Sequence, residues 1–231
     1  MRLSIVFPAY NEELNIRPAV EEALSYLQGR QDEVVAVNDG SLDRTGSILD
    51  DLAKEHPGRV RAIHHSMNQG YSATLRDGFL AAQGEWVFYT DSDRQFVLRE
   101  LDRLLAVSDG ADLVIGFRKD RQDPWRRRFA AKCYNLLVRL LFGLRGVSDI
   151  DCAFKLFRRD VFDKFRIRSS DFLIDTEILV KSHDLGLVIR EVPVTHRLRP
   201  CGVSTVRFKH VMTTLYGLAL LFKEVRLSKA S

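Results

Sequence analysis

The chain has 231 residues, of which 45% are hydrophobic and 29% charged. This composition is typical of a soluble globular protein and excludes a wholly disordered one. Its three cysteines are scattered and odd in number, which argues against a disulfide framework or a cysteine metal site and favours a reducing compartment.

The net charge of +4 is unevenly distributed along the chain. Residues 117–128 carry six basic and two acidic residues, and residues 196–231 carry seven basic residues and one acidic residue. Such segments attract phosphates, nucleic acid or an anionic membrane surface. The longest uncharged run near the C-terminus, 211–222, has 12 residues, whereas a membrane-spanning helix needs about 20. The N-terminal segment lacks the features of a secretory signal. We therefore expect a cytoplasmic chain that does not span a membrane.

Apolar runs that end in turn residues alternate with helical spacing through the first half of the chain. The predicted elements are strand 2–7, helix 12–27, strand 33–37, a helix from Asp43 to about Lys54, strand 59–64, helix 70–82, strand 85–90 and strand 112–116. Strands separated by helices of this length form βαβ units. The sequence therefore predicts an α/β fold with a mostly parallel sheet flanked by helices.

The second half has a less regular pattern. The predicted elements are helix 125–144, a strand-like segment 151–158, helix 175–185, strand 187–194, a basic loop 196–204 and an amphipathic helix 205–227. No Gly/Ser linker separates the halves. We expect one domain over 1–205, made of the two halves 1–95 and 96–205, followed by a C-terminal amphipathic helix in 206–231.

Three polar loops, 8–12, 38–41 and 91–93, follow predicted strands. Parallel sheets bind ligands beyond the carboxyl ends of their strands, so these loops should meet at one edge. There Asp91 and Asp93 can hold a hard divalent cation, with diphosphate oxygens as further ligands. Two such carboxylates also suit a solvated acidic turn, but the neighbouring loops favour a metal site. Gln95 is either a residue that orients a metal ligand or a surface residue.

Asp39 follows the second strand in the turn Asn38-Asp39-Gly40-Ser41. Its carboxylate can accept hydrogen bonds from the N–H groups of a uracil or guanine edge. An ordinary turn with Gly40 at positive φ explains the same residues.

These motifs occur in a recognisable order: Val6 to Glu12, Val37 to Ser41, Asn68-Gln69-Gly70, Asp91-Ser92-Asp93, Gly116-Phe117-Arg118, Asp151 to Arg158, and Gly202-Val203-Ser204. The chain thereby resembles, over about residues 3–205, the inverting family 2 glycosyltransferases of GT-A (Rossmann-like) fold. Within them it most resembles the polyprenyl-phosphate branch typified by dolichol-phosphate mannose synthases. Asn38-Asp39 replaces the usual acidic pair, and Ser92 replaces a commoner alanine.

The resemblance implies that residues 1–95 form a nucleotide-sugar half and residues 96–205 an acceptor half, and it implies a role for each matching residue. The nucleotide would contact Pro8, Tyr10, Glu12, Val37, Asp39, Asp91, Ser92 and Arg199, and Mg²⁺ or Mn²⁺ would lie among Asp91, Asp93 and Gln95. Arg118 would face the acceptor phosphate, and Arg199 would belong to a loop that closes over the donor diphosphate. The catalytic set would be Asp91, Asp93, Arg118 and Arg199. The expected reaction is metal-dependent, inverting transfer of a hexose from GDP-mannose or a UDP-hexose to a polyprenyl or dolichyl phosphate.

A lipid-phosphate acceptor needs cations for its head group and an apolar surface for its tail. Arg126, Arg127 and Arg128 lead directly into the apolar helix 125–144, a layout that suits a helix lying on a membrane surface. A core helix with a basic first turn explains the same pattern. The first interpretation predicts a peripheral protein at the cytoplasmic face, compatible with a membrane-anchoring partner subunit. No nucleic-acid-binding motif is present, so we expect no nucleic-acid partner.

Two other functions stay open. Asp175 or Glu177 could act as a base for a sugar or small hydroxyl acceptor, although an acidic pair at a helix N-terminus is also stabilised by the helix dipole. A non-catalytic nucleotide-sugar binding module is the second alternative. The histidines, including His64 and His65, are expected to be structural or exposed.

Overall fold

The computed structural model describes residues 2–27, 32–119, 125–169, 173–198 and 209–228. Their strands and helices alternate along the chain. The strands are β1 (Leu3–Ala9), β2 (Glu33–Asn38), β3 (Val60–His64), β4 (Trp86–Thr90), β5 (Leu113–Arg118), β6 (Phe154–Arg158) and β7 (Ile189–Val194). The helices are α1 (Ile16–Tyr26), α2 (Thr45–Glu55), α3 (Tyr71–Ala81), α4 (Leu101–Ala106), α5 (Trp125–Phe142), α6 (Val161–Lys164), α7 (Ile174–Asp184) and α8 (Lys209–Ser228).

The strands of the described residues form one sheet in the order β3-β2-β1-β4-β6-β5-β7. β6 runs antiparallel to both β4 and β5, and the other neighbouring pairs are parallel. This confirms the predicted mostly parallel α/β sheet. The order places β1 between β2 and β4, so the loops after these three strands lie at adjacent positions along one edge.

The core lies on both faces of the central strands. Every residue of β1, β2 and β4 is buried, as expected for parallel strands that helices cover on both sides. α3 packs closely on the sheet because its Gly78 leaves no room for a side chain: an added Cβ would lie 2.5 Å from Val6 Cγ1.

Several predicted boundaries were wrong. β1 continues through Pro8 to Ala9, and α1 begins at Ile16 rather than residue 12. The strand predicted over 151–158 begins only at Phe154. The short helices α4 and α6 lie where no element was predicted.

The C-terminal helix α8 packs against the domain. Lys181 of α7 forms an ion pair with Glu224 of α8 at 3.1 Å, and the Phe142 and Phe222 rings lie 5.8 Å apart. Among the described residues, no helix is both long enough and apolar enough to cross a bilayer. The division of the chain at residue 205 stays a prediction, since 199–208 lie outside the described residues.

Candidate functional site

The three loops predicted to converge do meet. Ser92 Oγ donates a hydrogen bond of 2.9 Å to the carbonyl oxygen of Pro8, joining the ends of β4 and β1. The backbone N–H of Asn11 donates to Ser41 Oγ at 2.9 Å, joining the loops after β1 and β2. The carboxyl ends of three neighbouring strands therefore form one polar edge.

Two acidic side chains, Asp91 and Asp93, lie at this edge. Asp93 is buried, with 8% of its surface exposed, and the Tyr71 hydroxyl donates to Asp91 Oδ1 at 2.9 Å. Burial and the charge of Asp93 raise the pKa of Asp91 to about 7. Carboxylates held together in this way are the oxygen ligands that hard divalent cations prefer. The chemistry of Asp91 and Asp93 therefore fits Mg²⁺ or Mn²⁺.

The chain supplies only part of such a coordination sphere. In the described part of the chain, no cluster of three or more His, Cys, Asp or Glu side chains could hold a metal. Oxygens from a bound diphosphate and water would have to complete the ligand set.

The backbone directly after Asp93 is strained. Arg94 has φ of +60°, a conformation that is uncommon for a long side chain and that recurs at functional sites. The next residue, Gln95, donates its backbone N–H to Asp93 Oδ1 at 3.1 Å. The strained turn thus places a donor on one of the two carboxylates.

Gln95 does not direct its amide N–H toward the acidic pair. Its Nε2 donates to the carbonyl oxygen of Arg197 at 2.9 Å, and the N–H of Arg197 donates to the carbonyl oxygen of Gln95 at 2.7 Å. Gln95 therefore holds the start of the basic loop. Arg199, predicted to lie over the donor diphosphate, is outside the described residues.

Asp39 is buried and already has three hydrogen-bond donors. It accepts the backbone N–H groups of Gln69 at 2.8 Å and Gly70 at 2.9 Å. Its Oδ1 also lies 2.7 Å from His65 Nδ1, and His65 Nε2 lies 3.1 Å from Asp77 Oδ2. His65 was predicted to be structural or exposed; it is buried and in direct contact with the residue expected to bind the base.

The other residues predicted to contact the nucleotide differ in how exposed they are at the sheet edge. Tyr10 and Glu12 are partly exposed beside Asp39 at the sheet edge, and Pro8 is buried but presents its carbonyl to Ser92. Val37 is fully buried, and its side chain points toward Gly78 of α3. The predicted contact of Val37 with the nucleoside therefore stays a prediction, and the burial of this side chain leaves the backbone of Val37 as the part that could make it.

Arg118 lies at the end of β5. Its Nε and one terminal nitrogen donate to the two carboxylate oxygens of Asp149, both at 2.6 Å. A bidentate ion pair of this kind is a strong, geometrically specific contact. Arg118 is thus held by Asp149, a partner that the sequence did not indicate.

The two candidate bases on α7 both have internal partners. Asp175 accepts from Lys155 Nζ at 2.7 Å and from the Tyr89 hydroxyl. Glu177 accepts from Lys181 Nζ at 2.6 Å and from the backbone N–H of Ser169 at 2.7 Å. Burial alone would raise the pKa of Glu177, but these hydrogen bonds hold it below its ordinary value.

α5 presents an apolar stripe to solvent. Trp125, Phe129, Leu136 and Leu140 recur at helical spacing and are between 51% and 75% exposed. Arg128 is exposed near the start of the helix, and the side chains of Arg126 and Arg127 lie outside the described residues. This arrangement agrees with the predicted amphipathic helix but does not reveal what covers the stripe.

Comparison with known proteins gives consistent matches. The family model described as "Glycosyl transferase family 2" matches residues 4–166. A polyprenol monophosphomannose synthase of Mycolicibacterium smegmatis is 31% identical over 230 residues, covering 94% of this chain and 86% of that protein. A dolichyl-phosphate beta-glucosyltransferase (ALG5A) of Trichomonas vaginalis is 33% identical over 214 residues, and the matched region spans 83% of this chain but 64% of that protein.

Solved structures agree on the fold. Glucosyl-3-phosphoglycerate synthase from Mycobacterium tuberculosis, in complex with Mn²⁺, UDP and glucosyl-3-phosphoglycerate, matches with a TM-score of 0.70 and 18% identity. The match covers 96% of this chain and 79% of that one. The predicted GT-A architecture is thereby confirmed.

Proposed function

Because this chain belongs to glycosyl transferase family 2 and is a glycosyltransferase, we propose that it transfers a hexose from a nucleotide sugar to a polyprenyl phosphate. The observation that most supports this proposal is that Asp91 and Asp93 lie at the same sheet edge as the Asp39 turn. Two of the most similar relatives bear names that specify transfer to a polyprenol or dolichyl phosphate. The donor is GDP-mannose or a UDP-hexose.

In this proposal the acidic pair and the Asp39 turn bind different parts of the donor. Asp39 accepts hydrogen bonds from the base, and Asp91 and Asp93 hold Mg²⁺ or Mn²⁺ against the diphosphate. The cation, when bound, offsets negative charge that develops on the departing nucleoside diphosphate. The raised pKa of Asp91 supports this assignment, since it reflects the burial of this carboxylate and its repulsion by the charge of Asp93, a repulsion that a bound cation would relieve.

The chemical step is a direct displacement. A phosphate oxygen of the acceptor attacks the anomeric carbon from the face opposite the diphosphate. The new carbon–oxygen bond forms as the old one breaks, and the nucleoside diphosphate leaves with the electron pair, which inverts the anomeric centre. A lipid phosphate is ionised at pH 7, so no strong base is required. Catalysis then requires correct positioning of the substrates and stabilisation of the developing charge. We assign these roles to Arg118 and Arg199.

The proposed acceptor is amphiphilic, and the exposed stripe of α5 suits its surroundings. Trp125, Phe129 and Leu140 give an apolar face beside the exposed Arg128, the combination by which helices bind anionic membrane surfaces. We therefore place the protein at the cytoplasmic face of the membrane in this proposal, as a peripheral protein. A membrane-anchoring partner subunit is compatible with it.

A donor panel tests the proposed reaction. The protein is incubated with Mg²⁺ or Mn²⁺, a set of GDP- and UDP-sugars, and a short polyprenyl phosphate. We expect one donor to give a sugar–lipid product of inverted configuration, identified by mass spectrometry and NMR. Sugar transfer to a water-soluble hydroxyl acceptor alone would refute the lipid acceptor, and nucleotide binding without any transfer would indicate a non-catalytic module.

Vesicle flotation tests the membrane contact separately. Leu140→Glu should weaken binding to vesicles that contain anionic lipid, because it puts a charge in the exposed stripe of α5. Leu80→Glu is the matched control, since Leu80 is a comparably exposed leucine on α3. Equal binding by the wild type and both variants would count against α5 as the membrane-facing helix.

A further inference from the structure

His65 is enclosed between two carboxylates. Its ring nitrogens lie 2.7 Å from Asp39 Oδ1 and 3.1 Å from Asp77 Oδ2, and only 8% of the residue is exposed. It directly follows β3, whereas Asp39 follows β2 and Asp77 belongs to α3. One imidazole thus joins three segments of the nucleotide-sugar half.

The two contacts require more protons than a neutral histidine carries. A neutral imidazole has one N–H donor and one acceptor nitrogen, while an ionised carboxylate only accepts. Asp39 also receives two backbone N–H groups, one on each oxygen, so both of its carboxylate oxygens act as acceptors. Asp77 is 37% exposed and lies 3.6 Å from the guanidinium of Arg76. Two ionised partners are satisfied together only by an imidazolium with both nitrogens protonated.

The carboxylate that His65 contacts is central to the surrounding turn. Asp39 bridges to Gln69 and Gly70, the residues directly before α3. Gly40 sits so close to the 67–68 backbone that an added Cβ would lie 2.4 Å from the carbonyl carbon of Met67. The Asp39 turn and the 67–70 loop are therefore packed without space between them, and the His65 ring contacts the same carboxylate.

We infer that His65 is a positioning residue: held as an imidazolium between Asp39 and Asp77, it orients the Asp39 carboxylate for recognition of the nucleotide base. This inference rests on the proposed function, in which Asp39 binds the base. His65 itself touches no substrate in this scheme. It acts by fixing the rotamer of Asp39, while Asp91 and Asp93 independently hold the cation that binds the diphosphate.

The adjacent histidine provides an internal control. His64 lies at the end of β3 and is 34% exposed in its side chain, with contacts to Asp50 of α2 at 3.2 Å and to the Asn38 amide at 3.1 Å. It makes no contact with Asp39 within the described residues. His64→Gln therefore changes the same strand end without touching the carboxylate that His65 holds.

The test compares nucleotide with diphosphate. Calorimetry in Mn²⁺ measures the affinity of wild type, His65→Gln and His64→Gln for UDP, GDP and inorganic diphosphate. We expect His65→Gln to weaken binding of the preferred nucleotide about tenfold, the usual scale for a lost hydrogen bond to a charged group. Diphosphate affinity should change less than about twofold, and His64→Gln should match the wild type. A merely structural role would weaken nucleotide and diphosphate equally, and that result would overturn the inference.

Nitrogen-15 NMR of labelled histidine tests the charge directly in the wild type. Both ring nitrogens of His65, assigned by the loss of its signals in His65→Gln, should show imidazolium shifts at pH 7. Asp77→Asn, which keeps an acceptor but removes the charge, should shift His65 toward the neutral form. A neutral His65 in the wild type would overturn the inference even if the variants unfold. If the wild type binds neither nucleotide, both the proposed function and this inference are refuted. If His65→Gln binds the nucleotide as well as the wild type does, only the role of His65 is refuted.

Discussion

The buried pair of Lys155 and Asp175 allows a quantitative test of whether Asp175 is structural or a base. Lys155 is fully buried, and its Nζ donates to Asp175 Oδ1 at 2.7 Å and to the carbonyl oxygen of Cys152. Removing one partner of such a pair leaves the other charge buried and typically costs about 3–5 kcal/mol. Asp175→Asn should therefore lower the free energy of unfolding by about that amount, or the melting temperature by roughly 10 °C for a chain of this size.

Urea unfolding followed by circular dichroism at pH 7 is the assay. The double variant Lys155→Met with Asp175→Leu removes both members of the pair, so it should be more stable than either single variant, with a coupling of about 2 kcal/mol or more. Asp163→Asn, at an exposed acid of α6, is the control and should change stability by less than about 0.5 kcal/mol. If Asp175→Asn unfolds at the wild-type midpoint, the structural role is refuted. Lost turnover at unchanged stability would then favour Asp175 as a base.

Three further predictions concern the sheet edge. Asp93→Ala should keep the fold, by circular dichroism, but weaken Mn²⁺-dependent nucleotide binding at least about tenfold; unchanged affinity would remove its metal role. Because the pKa of Asp91 is raised to about 7, a proton competes with the cation, and Mn²⁺ affinity measured by calorimetry should fall about tenfold per pH unit below pH 7. The contribution of Asp91 to stability has the opposite sign: without metal, this contribution becomes less favourable as the pH rises from about 4 to 7, since burial and Asp93 disfavour the ionised form. Gly40→Ala should cost more than about 2 kcal/mol in urea unfolding, because φ is +64° and its Cβ would clash with the Met67 backbone. Gly58→Ala, at positive φ but with nothing within 4 Å, should cost less, and equal losses would show that the clash is unimportant.

The sequence predicted the strands and helices of residues 1–95 well for a physical reason. β1, β2 and β4 are covered on both faces, so they are short continuous apolar runs, and the helices between them keep an apolar face at helical spacing. The exception at Pro8 is also explicable. Pairing of β1 with β4 ends at Val6, while pairing with β2 continues to Ala9. Pro8 therefore has a neighbouring strand on one side only, where a missing N–H donor is tolerated.

The partners of the charged residues could not be read from the sequence. Asp39 and His65 are 26 positions apart in the sequence, and Arg118 and Asp149 are 31 positions apart. Only the folded sheet brings the members of each pair together. One signal was present: Lys155 lies in the otherwise apolar Phe154-Lys155-Leu156-Phe157. A buried charge is retained only where a partner satisfies it, so this lysine predicted a buried acid without identifying Asp175.

These pairings bear on the choice of acceptor. A hydroxyl acceptor needs a base to remove its proton, and the two carboxylates proposed for that task are engaged elsewhere. Asp175 holds Lys155 and Tyr89, and Glu177 holds Lys181 and two backbone N–H groups, with a lowered pKa that makes it a weaker base. To remove a proton from an acceptor, either carboxylate would have to break its ion pair with a buried lysine. For Asp175, the Asp175→Asn experiment measures the stability that this ion pair contributes. A phosphate acceptor arrives already ionised and needs no such rearrangement. The internal partners of α7 therefore support the lipid-phosphate proposal independently of the resemblance to other proteins.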